Sequence, residues 1–109
     1  MLTKERKEKV VAALQKAIQA KSYSGEEKGV VEYLEKLFKD IGYDTVHIDR
    51  YGNIIGCIKG KKNGLKVLMD GHMDTVPVQE EKWKENAFGG EIKDGKIYGR
   101  GTSDDKGPA

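Results

Sequence analysis

A single cysteine, Cys57, leaves no partner for an intramolecular disulfide, so the chain is not built on a disulfide framework and suits a reducing compartment. Flanked by Ile54, Ile55 and Ile58, it is expected to be a small buried apolar residue rather than a reactive thiol. Long apolar runs are missing too. None approaches membrane-spanning length, which argues against a membrane partner. The opening "MLTKERKEKVVAALQKAIQA" is broken by charges and lacks the continuous apolar centre of a signal peptide, so a cytoplasmic location is expected. Charge of one sign is also lacking: 20 Lys and Arg stand against 18 Asp and Glu, a balance that gives no basic footprint for nucleic acid. The small cluster of Lys59, Lys61 and Lys62, beside Gly60 and Gly64, reads as a solvated turn.

At 109 residues the chain has room for one small domain and not for two. Residues 3 to about 20 read as a helix, with Val10, Val11, Leu14, Ala17 and Ile18 on one stripe. Ser24 and Glu27 match a capping box and predict a second helix starting there. Val30, Val31, Leu34, Leu37, Phe38 and Ile41 carry that helix forward, and Gly42 stops it. The period then changes. "YDTVHID" alternates as a strand, with His47 on its outer face, "RYGN" turns, and "NIIGCIKG" is a second strand. "LKVLMDG" predicts a third, apolar enough in its middle to be buried on both faces. The polar, Gly-rich stretch from Pro77 to Lys96 has Trp83 and Phe88 as its anchors, and "KIYGRGTSDDKG" is a short strand running into a glycine-rich loop.

Chemistry concentrates at two places. If residues 66–74 are extended, His72 and Asp74 point to the same face, because strand side chains alternate. They would converge at the C-terminal end of a buried strand, where open α/β sheets place their sites. A neutral imidazole ligates zinc well, and a neighbouring carboxylate can fix its tautomer. Alone, the pair also fits a satisfied structural histidine. The second place is "GRGTSDDKG", residues 99–107, with two adjacent aspartates in a flexible loop. It could be a solvated acidic turn. The G-x-x-x-x-G-K-[ST] phosphate loop is absent, and Gly99-x-Gly101 lacks the third glycine of a dinucleotide fingerprint. A carboxylate in such a loop can instead bridge two metal ions about 3.5–4 Å apart, the arrangement that activates water against a carbonyl.

"GHMDTVP" and "YGRGTSDDKG", with 32 positions from His72 to Asp104, resemble the two N-terminal signatures of a large metallopeptidase family. That family includes aminoacylases, acetylornithine deacetylases, succinyl-diaminopimelate desuccinylases, and glutamate-type carboxypeptidases and dipeptidases. "SGEE", "DRYGNIIG" and "WKENAFGGEIKDGKIYGRG" agree, so the resemblance spans about residues 20–107. It implies an α/β fold, the N-terminal part of a three-layer zinc-peptidase catalytic domain, with two helices followed by strands of a mixed sheet. Residues 1–109 would then be an incomplete portion of that domain, without the lid and dimerisation domain.

Carried over by position, the resemblance makes His72 a terminal ligand of one zinc and Asp74 the catalytic carboxylate that orients it. Asp104 becomes the bridge between two zinc ions, with cobalt or manganese as alternatives. Asp105 receives no ligand role. The resemblance also implies a cis peptide between Asp104 and Asp105. Ala87 stands where the family commonly has proline, and is expected to loosen its loop without touching the site. The family's Glu-Glu pair, further acidic ligand and late histidine lie beyond the glycine-rich loop. Glu26-Glu27 and Glu80-Glu81 both precede that loop and do not replace the pair.

The implied function is metal-dependent hydrolysis of an amide bond in an N-acyl amino acid or small peptide, by a homodimer when full length, with residues 1–109 inactive alone. A second reading is a non-catalytic module that keeps the first half of the fold to bind a peptide or partner chain. It would bind peptide independently of metal.

Overall fold

A computed structural model describes residues 1–109. Its first helix, α1, spans Lys4–Gln19. Thr3 caps it, its Oγ1 accepting from the Arg6 N–H at 3.2 Å. The predicted stripe faces inward at its C-terminal end, where Ala17 and Ile18 are buried, whereas Val10 stays exposed. Helix α2 spans Lys28–Ile41 and ends as the sequence predicts, at a left-handed Gly42 whose N–H reaches the carbonyls of Phe38 and Lys39. Val30 and Val31 bury its inner face.

The start of α2 departs from the capping-box reading. Glu27 is the capping residue and makes no side-chain cap bond. Its carboxylate instead accepts from the Gly25 N–H at 2.8 Å, and Ser24 points elsewhere. The SGEE segment is a closed turn ahead of the helix, held by the Glu26 N–H on the Tyr23 carbonyl at 2.8 Å.

Strands β1 (Thr45–Ile48) and β2 (Ile54–Cys57) form an antiparallel ribbon with Thr45 opposite Cys57 and Ile48 opposite Ile54. The Asp49 carboxylate organises the turn between them by accepting from the N–H groups of Tyr51 and Asn53 and from the Asn53 amide. One face of the ribbon rests on α2, beside the stacked rings of Phe38 and Tyr43, 4.5 Å apart. Strand alternation places Cys57 on the other face. It is exposed, which corrects the buried reading drawn from its isoleucine neighbours. His47 is exposed, as expected of a surface strand residue.

The third predicted strand does not form. Residues 64–74 have no regular secondary structure and pair with no strand, and Leu65, Val67, Leu68 and Met69 are 86–100% exposed. The reason is the absence of neighbours. A strand apolar on both faces is stable only with hydrogen-bonding strands beside it and layers above and below, and residues 1–109 supply neither. The short strand expected at the start of "KIYGRG" is present as β4 (Lys96–Tyr98), and it pairs antiparallel with β3 (Glu91–Lys93), which the sequence reading left within the polar, Gly-rich stretch. Asp94 and Gly95 turn the chain between them with φ of 49° and 73°, the two positive angles that a tight Asp-Gly hairpin demands.

The α/β character is therefore borne out, with the strands arranged as two separate antiparallel ribbons. No helix is long and apolar enough to cross a membrane. Only five apolar residues are buried: Ala17, Ile18, Val30, Val31 and Ala87. The radius of gyration is 15.2 Å, against about 13 Å for a well-cored domain of this length. Ala87, at the position where the family commonly has proline, packs inward. It is buried, and its carbonyl accepts the Arg100 N–H at 2.7 Å.

Candidate metal centre

Two segments far apart in sequence lie side by side and build the site. Residues 22–24 run parallel to residues 74–76, joined through a Tyr23–Thr75 bridge. The Thr75 N–H donates to the Ser22 carbonyl at 2.8 Å, and the fully buried Ser22 returns its hydroxyl to the Met73 carbonyl at 2.7 Å. A buried hydroxyl with a partner costs little, whereas one without is expensive. This short ladder therefore fixes where His72 and Asp74 stand.

His72 lies between two carboxylates. Its Nδ1 lies 3.0 Å from Asp74 Oδ1 and 3.0 Å from the Asp74 carbonyl, while its Nε2 lies 2.9 Å from Asp104 Oδ1. The predicted convergence of His72 and Asp74 is thus present, and Asp104 joins them from the glycine-rich loop. The side chains remain open: His72 is 52% and Asp104 88% exposed. The Asp104–Asp105 peptide is cis, as the family resemblance implied.

Three neighbours escaped the sequence reading. Ser24 donates its hydroxyl to Asp74 Oδ2, on the side of the carboxylate away from His72. Asp105 accepts the main-chain N–H of His72 at 3.2 Å and so ties the two motifs together at the backbone. Lys106 donates to the carbonyls of Ala17 and Ala20, at 2.8 and 3.0 Å. These oxygens lie at the C-terminal end of α1, where helix carbonyls lack intrahelical partners and a cation is favoured. Their residue types gave a weak signal. Ser24 looked like a cap, and nothing in the spacing of Asp105 or Lys106 singles out a main-chain partner.

The glycines of the loop serve close packing. A Cβ at Gly99 would sit 2.5 Å from Ile18 Cγ2, and one at Gly107 would sit 1.9 Å from the Thr102 carbonyl oxygen. Beside the loop, Arg100 lays its guanidinium 5.2 Å from the centre of the Trp83 ring. His72, Asp74 and Asp104 open with these two residues onto a cleft of about 290 Å³.

The charges set the proton affinities. The Asp104 contact, followed by the Asp74 carbonyl, raises the His72 pKa above the ordinary imidazole value. The Ser24 hydroxyl, and then His72, hold Asp74 below the ordinary carboxylate range. The signs follow by linkage. The contribution of His72 to stability is full below the ordinary imidazole range and fades as pH rises through its raised value. That of Asp74 is present above the ordinary carboxylate range and lost as pH falls through its depressed value. Ring-nitrogen NMR of the metal-free chain should place the His72 titration above the ordinary value. Asp104→Asn should move it down further than Ser24→Ala does; an unchanged titration in Asp104→Asn would mean that the carboxylate does not face the ring in solution.

As a metal site the donor set fits in kind. An imidazole nitrogen and a carboxylate oxygen face one another, and the ring is oriented from behind by a second carboxylate, the pattern of zinc-ligating histidines. In number it is short. No group of three or more His, Cys, Asp or Glu side chains is arranged to hold one metal ion, so neither Glu26-Glu27 nor Glu80-Glu81 completes the set.

Residues 68–109, which include both motifs, match the family described as Peptidase family M20/M25/M40. A Pyrococcus furiosus protein named for LysW-lysine/LysW-ornithine hydrolysis is 36% identical over 93% of this chain and 28% of its own length. Succinyl-diaminopimelate desuccinylase 2 of a Ruegeria species is 34% identical over 82% of this chain and 23% of its own length. Succinyl-diaminopimelate desuccinylase of Cereibacter sphaeroides is 33% identical over 88% of this chain and 26% of its own length. The chain thus spans about a quarter of the length of the curated relatives it matches. The resemblance carried by the two motifs is borne out at the level of the family.

Proposed function

We propose that this chain is the N-terminal portion of the catalytic domain of a metal-dependent amidohydrolase that cleaves an N-acyl amino acid or small peptide. The observation that carries the reading is the His72 imidazole held between Asp74 and Asp104, on two segments that the fold brings together across 32 positions. His72 and Asp104 would hold metal, and Asp74 would keep the ring in register. Zinc is the metal these donor types suit best, with cobalt or manganese as alternatives. A divalent ion bound there would polarise the scissile carbonyl and make water a better nucleophile.

The chain's own residues supply orientation. Asp74 accepts from Nδ1–H and leaves Nε2 directed at Asp104, while Asp105 holds the His72 main chain in place. The Nε2 proton must leave before that nitrogen can serve as a ligand, so metal uptake should release a proton and strengthen with rising pH. The general base and remaining donors would come from the rest of a longer polypeptide. That remainder would also cover the exposed segment from Leu65 to Met69. The names of the desuccinylase relatives support a deacylase as the working description, and a homodimer is what the motif resemblance alone implies. A cytoplasmic location suits that chemistry.

Calorimetric zinc titration tests the reading. A complete four-donor zinc site supplies about 10–16 kcal/mol. Half the donors should leave roughly half of that, a Kd no tighter than about 1 μM. Residues 1–109 alone should therefore show weak binding and no hydrolysis, and the full-length polypeptide two tight sites and hydrolysis of N-acyl amino acids. Metal-independent peptide capture by the full-length polypeptide, without hydrolysis, would establish the binding-module reading instead.

A further inference from the structure

The SGEE turn lies beside the site without touching His72, yet its first residue is bonded to the carboxylate that does. We propose that Ser24 is a positioning residue of this site, its hydroxyl fixing one oxygen of Asp74 so that the other is presented to His72. The inference deepens the proposed function and rests on it for any statement about rate.

Three observations carry it. The first is what Ser24 does not do. The N-terminus of α2 has no side-chain cap, so the Ser24 hydroxyl is not spent on helix capping as its place in the sequence suggested. The second is division of labour on Asp74: Oδ2 accepts from Ser24 and Oδ1 from His72. The terminal torsion of an aspartate is broad and roughly two-fold, so nothing intrinsic to Asp74 selects one rotation of its carboxylate. A donor on the far oxygen selects it. The third is the rigidity of the platform under Ser24. Ser22 and Tyr23 are tied to residues 73–78 by the ladder and by the Val78 N–H on the Tyr23 hydroxyl at 3.3 Å. Gly25 and Glu26 close the turn on the other side. Ser24 is thus held from both flanks opposite Asp74.

The His72 ring is not freed altogether when Ser24 is removed, because Nδ1 also faces the Asp74 carbonyl at 3.0 Å. What is lost is the fixed contact with the charged oxygen. The ladder bonds that do not involve the Ser24 side chain stay intact, so a positioning role and a merely structural one separate cleanly.

The test compares Ser24→Ala and Ser24→Thr with the unmodified full-length polypeptide. In Ser24→Ala the downfield His72 Nδ1–H resonance of the metal-free protein should move upfield. Zinc affinity and kcat should each fall about 10-fold or more, the low end of losses seen when a ligand's supporting contacts are removed. KM and the thermal midpoint should stay near those of the unmodified protein. Ser24→Thr, which keeps the hydroxyl, should restore the resonance, the affinity and the rate. The proposal is overturned if Ser24→Ala leaves resonance and affinity unchanged. It is equally overturned if the thermal midpoint falls and threonine does not rescue, since Ser24 is then only a structural link. Should the unmodified polypeptide hydrolyse no N-acyl amino acid, the functional reading fails by itself, while the resonance and zinc affinity still decide the role of Ser24.

Discussion

His72→Ala in the full-length polypeptide should empty one metal position and lower turnover by about 10³-fold or more. A bound divalent ion supplies several kcal/mol of charge stabilisation in the transition state, and each 1.4 kcal/mol or so is a factor of ten in rate. Asp74→Asn is the informative companion. It keeps the size and shape of the side chain but removes the negative charge behind Nδ1, 3.0 Å from the ring. Losses of about 10–100-fold are typical of such a change. Most of the metal should stay, kcat should drop, and KM should move little. Metal content and steady-state kinetics of the two variants, measured side by side, rank the roles. If Asp74→Asn matches the unmodified polypeptide while His72→Ala is dead, Asp74 is structural and its proposed catalytic assignment must be withdrawn.

Gly107→Ala should be the second large effect, and it acts on the site through the backbone. A Cβ there meets the Thr102 carbonyl oxygen at 1.9 Å, where ordinary contact begins near 3.4 Å, so the loop must open by about 1.5 Å. Residues 102–107 enclose Asp104, and the loop cannot slide freely. Lys106 clamps it to the end of α1, and Asp105 clamps it to the His72 main chain. The displacement therefore falls on Asp104. Misplacement of about 1 Å can cost on the order of 10²-fold in rate. Turnover should fall by that order and zinc affinity with it, with the melting temperature changed far less. A Gly107→Ala variant with unaltered metal affinity would show that the loop relieves the contact without moving Asp104.

The helices were legible because their information is local. The stripe ending in Ala17 and Ile18 and the left-handed stop at Gly42 depend on residues within one or two turns of one another. The same holds for the β1–β2 ribbon. The misreadings have physical causes. Residues 66–70 carry the composition of a buried strand, and composition specifies burial only when there are neighbours to provide it. Cys57 followed the alternation of its strand rather than the apolar character of its surroundings in sequence. The Asp-Gly turn of β3–β4 was legible and passed over, because its immediate neighbours, Lys93 and Lys96, are both charged and β3 lies within a polar stretch.

By itself the sequence carried the family resemblance and the identities of the three residues that meet, His72, Asp74 and Asp104. These rest on residue types at fixed spacing, which survive whatever the chain does between them. Only the tertiary structure decided what holds them. Ser24 on the outer oxygen of Asp74, Asp105 on the main chain of His72 and Lys106 on the end of α1 are contacts across 50, 33 and more than 80 positions. A serine, an aspartate or a lysine carries no local mark of such a partner. Its hydrogen-bonding capacity is the same everywhere in the chain, and the approach of two distant segments is fixed by packing rather than by either segment's own sequence.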